Sequence, residues 1–163
     1  ADALVLKERA NVFVTDAFKQ GFFEVQDANS QLVAHFLDVK PGMRVVDTCA
    51  GAGGKALHMA SLLEHKGQLI AMDLYESKLK QLKIRAKRNG AFNIEYKIID
   101  STKVIKKLQE KADRVAERGQ LVLAGQCQPR IAARRCDAAD QRLLQSCCRL
   151  MAGAKACVIP VIA

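Results

Sequence analysis

Residues 45–60 read VVDTCAGAGGKALHMA: a β-branched apolar run closed by Asp47, a glycine cluster, then a helix-like pattern. A strand that turns on glycines into a helix lets the backbone approach a ligand closely and offers it the unpaired N–H groups of the helix start. Three ligand classes use that device: nucleoside phosphates, dinucleotides and other adenosyl cofactors. A P-loop needs G-x-x-x-x-G-K-[ST]. Around Gly54-Lys55 the first glycine position is Cys49 and the hydroxyl position is Ala56, so the pattern fails twice. The dinucleotide pattern G-x-G-x-x-G starts with Gly51 and Gly53 but lacks its third glycine, the one that permits close helix packing. An adenosyl cofactor without a pyrophosphate remains, beside the bland alternative of a tight strand-to-helix turn with no ligand.

Working outward, the Pro41-Gly42 turn precedes the strand, and residues 55–65 carry a helical recurrence of Leu57, Ala60 and Leu63, with Gly67 as the expected stop. QLIAMDL reads as a buried strand ending in Asp73. ESKLKQLKIRAKRNG reads as a helix with Leu79, Leu82 and Ala86 on one face and Asn89-Gly90 as its stop. NIEYKIID follows as a strand with Ile94, Tyr96 and Ile98 facing inward, ending at Asp100, and STKVIKKLQEKA as a third helix with Ser101 as N-cap. Upstream, Phe13, Phe18, Phe22 and Phe23 cluster before a helix in QDANSQLVAHFLDV. The alternation predicts an α/β fold: a doubly wound, mostly parallel sheet of Rossmann-like form, with residues 1–40 as lead-in helices and 41–163 as the main domain. Ligands bind at the carboxyl ends of such strands, where Asp47, Asp73 and Asp100 all fall. Asp73, 19 residues beyond Gly54, is placed to accept hydrogen bonds from ribose hydroxyls.

The bulk numbers set limits. A chain of 163 residues supports one domain with a sizeable core. No run approaches the ~18–20 apolar residues of a membrane span. The first residues, ADALVLKERANVF, lack the pattern of a secretory signal, so a cytoplasmic protein or a fragment of one is expected. The six cysteines (49, 127, 136, 147, 148, 157) form no C-x-x-C pair and predict reduced thiols and no metal. A net charge of +9 favours a polyanionic partner such as nucleic acid, the alternative being a solvated basic surface.

GFFEVQDANSQLVAHFLDVKPGMRVVDTCAGAGGKALHMASLL resembles the RNA cytosine-5 methyltransferases of the bacterial Sun/Fmu and eukaryotic NOP2/NSUN type. The family's apolar strand, Asp-x-Cys-Ala, glycine pair and Lys-Thr are matched by Asp47, Cys49, Ala50, Gly53, Gly54 and Lys55, with Ala56 in place of the Thr. An upstream block is matched at Gln26, Asp27 and Ser30, and the resemblance runs over about residues 10–115. It implies a class I methyltransferase fold using S-adenosylmethionine. Cys49, Ala50, Gly51, Ala52, Gly53, Gly54 and Lys55 would wrap the methionine end of the cofactor, Asp73 would hold the ribose, and Asp100 with Ser101 would lie beside the adenine. It also implies an RNA partner, ribosomal RNA above all. The basic helices carrying Lys78, Lys80, Lys83, Arg85, Lys87 and Arg88 and then Lys103, Lys106, Lys107 and Lys111 suit contact with an RNA backbone, the alternative for each being a solvated face opposite the core. Cys49 itself is expected to be a small buried residue behind the loop.

Methylation at C5 of cytosine needs a thiolate to add at C6 and a base to remove the C5 proton. The family supplies these from an Asp-x-Pro-Cys block after the fourth strand and a Thr-Cys-Ser block after the fifth, and neither block is present here. Cys127, after the apolar run Leu121–Leu123 taken as the fourth strand, is the weak catalytic candidate. Cys157 falls on an expected fifth strand, and Cys136, Cys147 and Cys148 on the helix between them. Composition shifts at the same place. Residues 1–115 hold 14 Lys and 5 Arg and the tail 1 Lys and 6 Arg, while every Phe and Tyr lies at or before Tyr96. An out-of-frame or fast-diverging segment has that look, and the tail is read as foreign to residues 1–115. The function read from the chain is therefore an RNA (cytosine-5-)-methyltransferase with its cofactor half intact and its catalytic half altered. Its rivals are a cofactor- or RNA-binding module without catalysis and a methyltransferase of the same fold with another substrate.

Overall fold

The strand ahead of the glycine cluster lies in the middle of a five-stranded sheet in the computed structural model, which describes residues 3–100, 108, 111–117, 120–123 and 157–160. In chain order the elements are β1 (Leu4–Val5), a 3-10 turn (Val12–Val14), α1 (Asp16–Lys19), β2 (Phe23–Gln26) and α2 (Ala28–Phe36). Then come β3 (Arg44–Asp47), α3 (Gly54–Leu62), β4 (Gln68–Asp73), α4 (Glu76–Arg88), β5 (Ile94–Ile98), β6 (Arg114–Glu117), β7 (Gln120–Leu123) and β8 (Cys157–Pro160). The first 40 residues thus carry two strands as well as helices.

The main sheet has the order β5-β4-β3-β6-β7, with β3 to β6 parallel and β7 antiparallel to β6. Strand succession runs outward from β3 through β4 to β5, then returns to the other side of β3 at β6. The reversal at the β3/β6 boundary opens a crevice at the carboxyl ends of the strands, and the glycine cluster follows β3 directly into it.

Near-continuous apolar strands are what a sheet covered on both faces requires. Val45, Leu69 and Ala71 pack on one face against Leu37 just past α2, Leu57 and Met59 of α3 and Leu82 and Ala86 of α4. Val46, Ile70, Met72 and Val115 alternate onto the other face with Ala112, Ile99 and Leu108. The period of two inside an unbroken apolar run splits one hydrophobic stretch between two cores.

Local chemistry sets the element ends. Asp27 caps α2 by accepting from the Ser30 N–H (3.2 Å), which accounts for two of the three residues of the upstream block in structural terms. Gly42 takes φ 90° in the turn before β3. α3 stops at Leu62 rather than at Gly67, because Glu64 and His65 both enter the left-handed region (φ 47° and 56°) and close the helix first. α4 ends at Asn89 and Gly90 (φ 68°), as its sequence predicts.

Three strand assignments are corrected. The fourth parallel strand is β6, Arg114–Glu117. Leu121–Leu123 belongs to β7, which pairs back on β6 because the two residues between them allow only a hairpin, whereas a parallel crossover takes a dozen or more. Cys157 is not on a fifth strand of the parallel sheet: β8 lies between β1 and β2 in a separate antiparallel sheet, with Cys157 opposite Gln26 and Val5. Ile98 does not face inward, being 48% exposed at the end of an edge strand, while Ile94 is buried. The helix expected from Ser101 falls outside the described residues apart from a helical Leu108. Of the described residues, no helix is long and apolar enough to cross a membrane, and none form a metal-binding group of three His, Cys, Asp or Glu.

Candidate functional site

The turn from β3 into α3 is tied down bond by bond. The Cys49 N–H donates to Asp47 Oδ1 (3.0 Å), the Ala50 N–H to the Met72 carbonyl (2.9 Å) and the Gly51 N–H to Asp73 Oδ2 (2.9 Å). The Gly53 N–H closes the turn on the Ala50 carbonyl (2.9 Å). Gly51 and Gly53 both have positive φ (54° and 97°), a conformation open to glycine at no steric cost. They differ in what lies beyond. A Cβ on Gly53 would collide with Leu82, whereas a Cβ on Gly51 or Gly54 would meet nothing within 4 Å. Gly53 is therefore packed against α4, and Gly51 and Gly54 border open space. Helix α3 starts with Gly53 as N-cap and no capping side chain, so its first-turn N–H groups are ready to donate to negative or electron-rich atoms.

Asp47 is buried at the base of this turn. Burial pushes its carboxyl up to about 6; the Cys49 N–H and the Lys55 charge pull the other way, and the Asp73 charge adds to the rise. In the unfolded chain Asp47 releases its proton near pH 4, so between pH 4 and 6 the folded state holds the extra proton and stability falls as pH rises. The contribution is full below the unfolded value and lost above about 6. Asp47→Asn keeps an oxygen for the Cys49 N–H and cannot ionise. The unfolding free energy of this variant minus that of the native chain is expected to grow by about 3 kcal/mol between pH 4 and 7. Urea denaturation across that range checks it, and a constant difference would show that Asp47 ionises normally.

Asp73 ends β4 and is also buried. Its Oδ2 accepts from Gly51 and its Oδ1 from the Tyr75 N–H (2.9 Å). A carboxylate has about four lone-pair positions, so two such bonds orient it and leave acceptor capacity for hydroxyls. Asp100 is exposed two residues beyond β5, and Lys55 is exposed at the start of α3. The structure thus brings Asp47, Asp73 and residues 49–55 together and sets Asp100 at the next strand end; Ser101 and Cys127 lie outside the described residues. Cys49 departs from expectation. It is an exposed free thiol, because the turn directs its backbone N–H inward to Asp47.

The basic face of α4 is also corrected. Lys78, Lys80, Lys83 and Lys87 are exposed, but Arg85 and Arg88 turn inward onto Glu24 of β2. Arg85 Nη2 donates to Glu24 Oε2 (2.8 Å), Arg88 to Glu24 Oε1, and the Asn89 side chain to the same oxygen (2.8 Å). Burial pushes the Glu24 carboxyl up, but the hydrogen bonds from Arg85 and Asn89 and the charges of Arg85 and Arg88 outweigh it and hold it below the usual carboxylate range. Arg88 also stacks on Phe18, 3.9 Å from the ring centre, and Phe18 meets Phe13 and Phe23 edge-on and tilted. Sequence reading missed this network. Its signal was Glu24 inside the apolar run FFEV, a carboxylate that burial obliges to find a cation.

Comparison with known proteins follows this geometry. Residues 34–139, more than half of the chain, match the family described as 16S rRNA methyltransferase RsmB/F. That match begins and ends later than the resemblance read over 10–115, and so extends past the compositional break. The chain is 37% identical over 102 residues to the probable ribosomal RNA small subunit methyltransferase B of Bacillus subtilis (strain 168), covering 62% of this chain and 23% of that protein. It is 40% identical over 82 residues to the mouse tRNA (cytosine(72)-C(5))-methyltransferase NSUN6, covering 50% and 17%. The crystal structure of NSun6 from Pyrococcus horikoshii with SFG superposes with a TM-score of 0.60 at 32% identity, over 66% of this chain and 28% of that one. The chain thus spans between 17% and 28% of the length of these relatives. The doubly wound sheet is that of the class I methyltransferases, and the chain belongs to the RsmB/F methyltransferase family.

Proposed function

We propose that this chain is the cofactor-binding part of an S-adenosylmethionine-dependent RNA methyltransferase, acting at C5 of cytosine and most naturally on ribosomal RNA. The observation that carries the reading is the pinned turn at residues 49–54, open on its Gly51 and Gly54 side, placed where the order of strands reverses. The residues fit the cofactor. Backbone N–H groups at the uncapped start of α3 suit its carboxylate, the oriented Asp73 suits ribose hydroxyls, and Asp100, two residues beyond β5, is assigned with Ser101 to the adenine. No run of glycines and hydroxyls offers a pyrophosphate the same reception. Bound there, the cofactor supplies an electrophilic methyl group. Loop 49–55 would hold its methionine end and Asp73 would set its rotation about the ribose.

RNA contact is assigned to the exposed Lys78, Lys83 and Lys87 of α4 and to Lys111, which can neutralise phosphates without reading sequence. Residues 1–40 serve as the lead-in to a methyltransferase domain at 41–163, and Cys127 remains the candidate nucleophile. The domain-scale activity rests on family membership, and its relatives act on ribosomal or transfer RNA by name. Titration calorimetry decides the cofactor. Saturable binding of S-adenosylmethionine and of its demethylated product, with none of ATP or NAD, is expected; binding of either nucleotide in preference would overturn the reading.

A further inference from the structure

Arg85 touches three things at once. Its Nη2 donates to Glu24 Oε2 at 2.8 Å, its Nε reaches Glu24 Oε1 at 3.4 Å, and its Nη1 donates to the Ala52 carbonyl at 2.7 Å. Ala52 lies between Gly51 and Gly53, the two left-handed residues of the cofactor turn. Rotating the Ala52–Gly53 peptide turns Ala52 ψ and Gly53 φ, and glycine accepts either sign of φ at low cost. The Ala52–Gly53 peptide is nevertheless held at both ends, its carbonyl by Arg85 and its N–H by the Ala50 carbonyl. The carbonyl-side hold comes from outside the turn.

Glu24 fixes the guanidinium in turn. It belongs to β2, in the lead-in segment, and is buried with Arg85, Arg88 and Asn89 around it. The guanidinium fork is what allows one side chain to bridge a carboxylate and a carbonyl in fixed directions, and an ammonium cannot reproduce that. Gln31 Nε2 also donates to the Gln26 carbonyl (3.2 Å), so the end of β2 is anchored to α2 as well.

We propose that Arg85 is a positioning residue for the cofactor turn, and that Glu24 of the lead-in strand acts through it to keep the Ala52–Gly53 peptide in its binding orientation. The lead-in segment is then part of the cofactor site's support rather than a separate cap. The proposal rests on reading residues 49–55 as the cofactor loop, but its first observable does not need the cofactor.

The variant that separates positioning from bulk stability is Arg85→Lys, which keeps a cation for Glu24 and loses the fork. Hydrogen–deuterium exchange of the unliganded protein should show faster exchange confined to residues 51–54, with the β3 and β4 amides unchanged and the melting temperature close to native. S-adenosylmethionine affinity should fall roughly three- to tenfold, the weight of one hydrogen bond. Glu24→Gln, which removes the anion that orients Arg85, should produce the same local pattern. If both variants exchange and bind as the native chain does, or if exchange rises uniformly through the sheet, the positioning role is overturned. Failure of the cofactor reading is seen separately, as absence of S-adenosylmethionine binding to the native chain. In that case local loosening at 51–54 still supports the relay, and its absence still removes it.

Discussion

Asp73→Ala should weaken S-adenosylmethionine binding about 10- to 100-fold, the factor expected for hydrogen bonds to a charged group worth ~1.5–3 kcal/mol. Two effects coincide in that substitution. The carboxylate proposed as the ribose acceptor is removed, and the Gly51 N–H loses its partner. The Tyr75 N–H loses its acceptor as well, so α4 starts from a looser turn. Calorimetry at a temperature well below unfolding isolates the binding loss from any change in stability. An affinity equal to that of the native chain would remove Asp73 from the site and, with it, the ribose assignment.

The largest stability effect is expected at Gly21, far from the crevice. This residue has φ 81° and lies directly against the end of α4. A Cβ there would fall 2.6 Å from the carbonyl carbon of Arg88 and 2.9 Å from Asn89 Cα, and closer still to the carbonyl oxygen. These are backbone atoms at a helix end and cannot step aside as a side chain would. Gly21→Ala should therefore cost on the order of 3 kcal/mol or more, combining left-handed strain with displacement of β2 from α4. Gly90→Ala is the control, since Gly90 also has positive φ (68°) but open space where the Cβ would go. That variant should cost only the backbone term, about 1 kcal/mol. Urea denaturation of the two variants gives the comparison, and equal losses would show that Gly21 is not seated on α4.

Particular residues show where the sequence was readable. Val45–Asp47 and Leu69–Asp73 are short, apolar, bounded by turn residues and closed by acids, and both are buried parallel strands with those acids at the crevice. Such strands announce themselves because burial on both faces leaves no polar positions to confuse the pattern. Ile98 was misplaced for the converse reason: at a sheet edge, the last alternating position runs past the helix cover. β7 and β8 were misassigned because an apolar tetrapeptide carries no record of its partner. The direction of β7 follows from the brevity of its connection to β6, and β8 pairs with strands more than 130 residues earlier in the chain. That the glycine turn and Asp73 would meet was legible through their spacing. Arg85 was not, since it looks like any other cation of a basic helix until Glu24 is placed opposite it. Position 85 does flank the buried stripe of Leu82 and Ala86, and that offset was the available clue.

The order of strands also dictates a schedule. β3, β4 and β5 pair with neighbours about 24 residues away, Val45 with Leu69 and Leu69 with Ile94, through helices formed from the intervening chain. Such short-range pairing closes small loops and assembles early, as the chain leaves the ribosome. β6 then has to find the vacant edge of β3 across roughly seventy residues, with Val45 meeting Arg114. β1 and β2 wait longest, since their partner β8 follows all the other described strands. A nascent chain stalled after β5 would hold a half-sheet with the glycine turn already made and one flank of β3 bare. That intermediate has an open strand edge and is the stage at which a chaperone or a neighbouring copy could capture it.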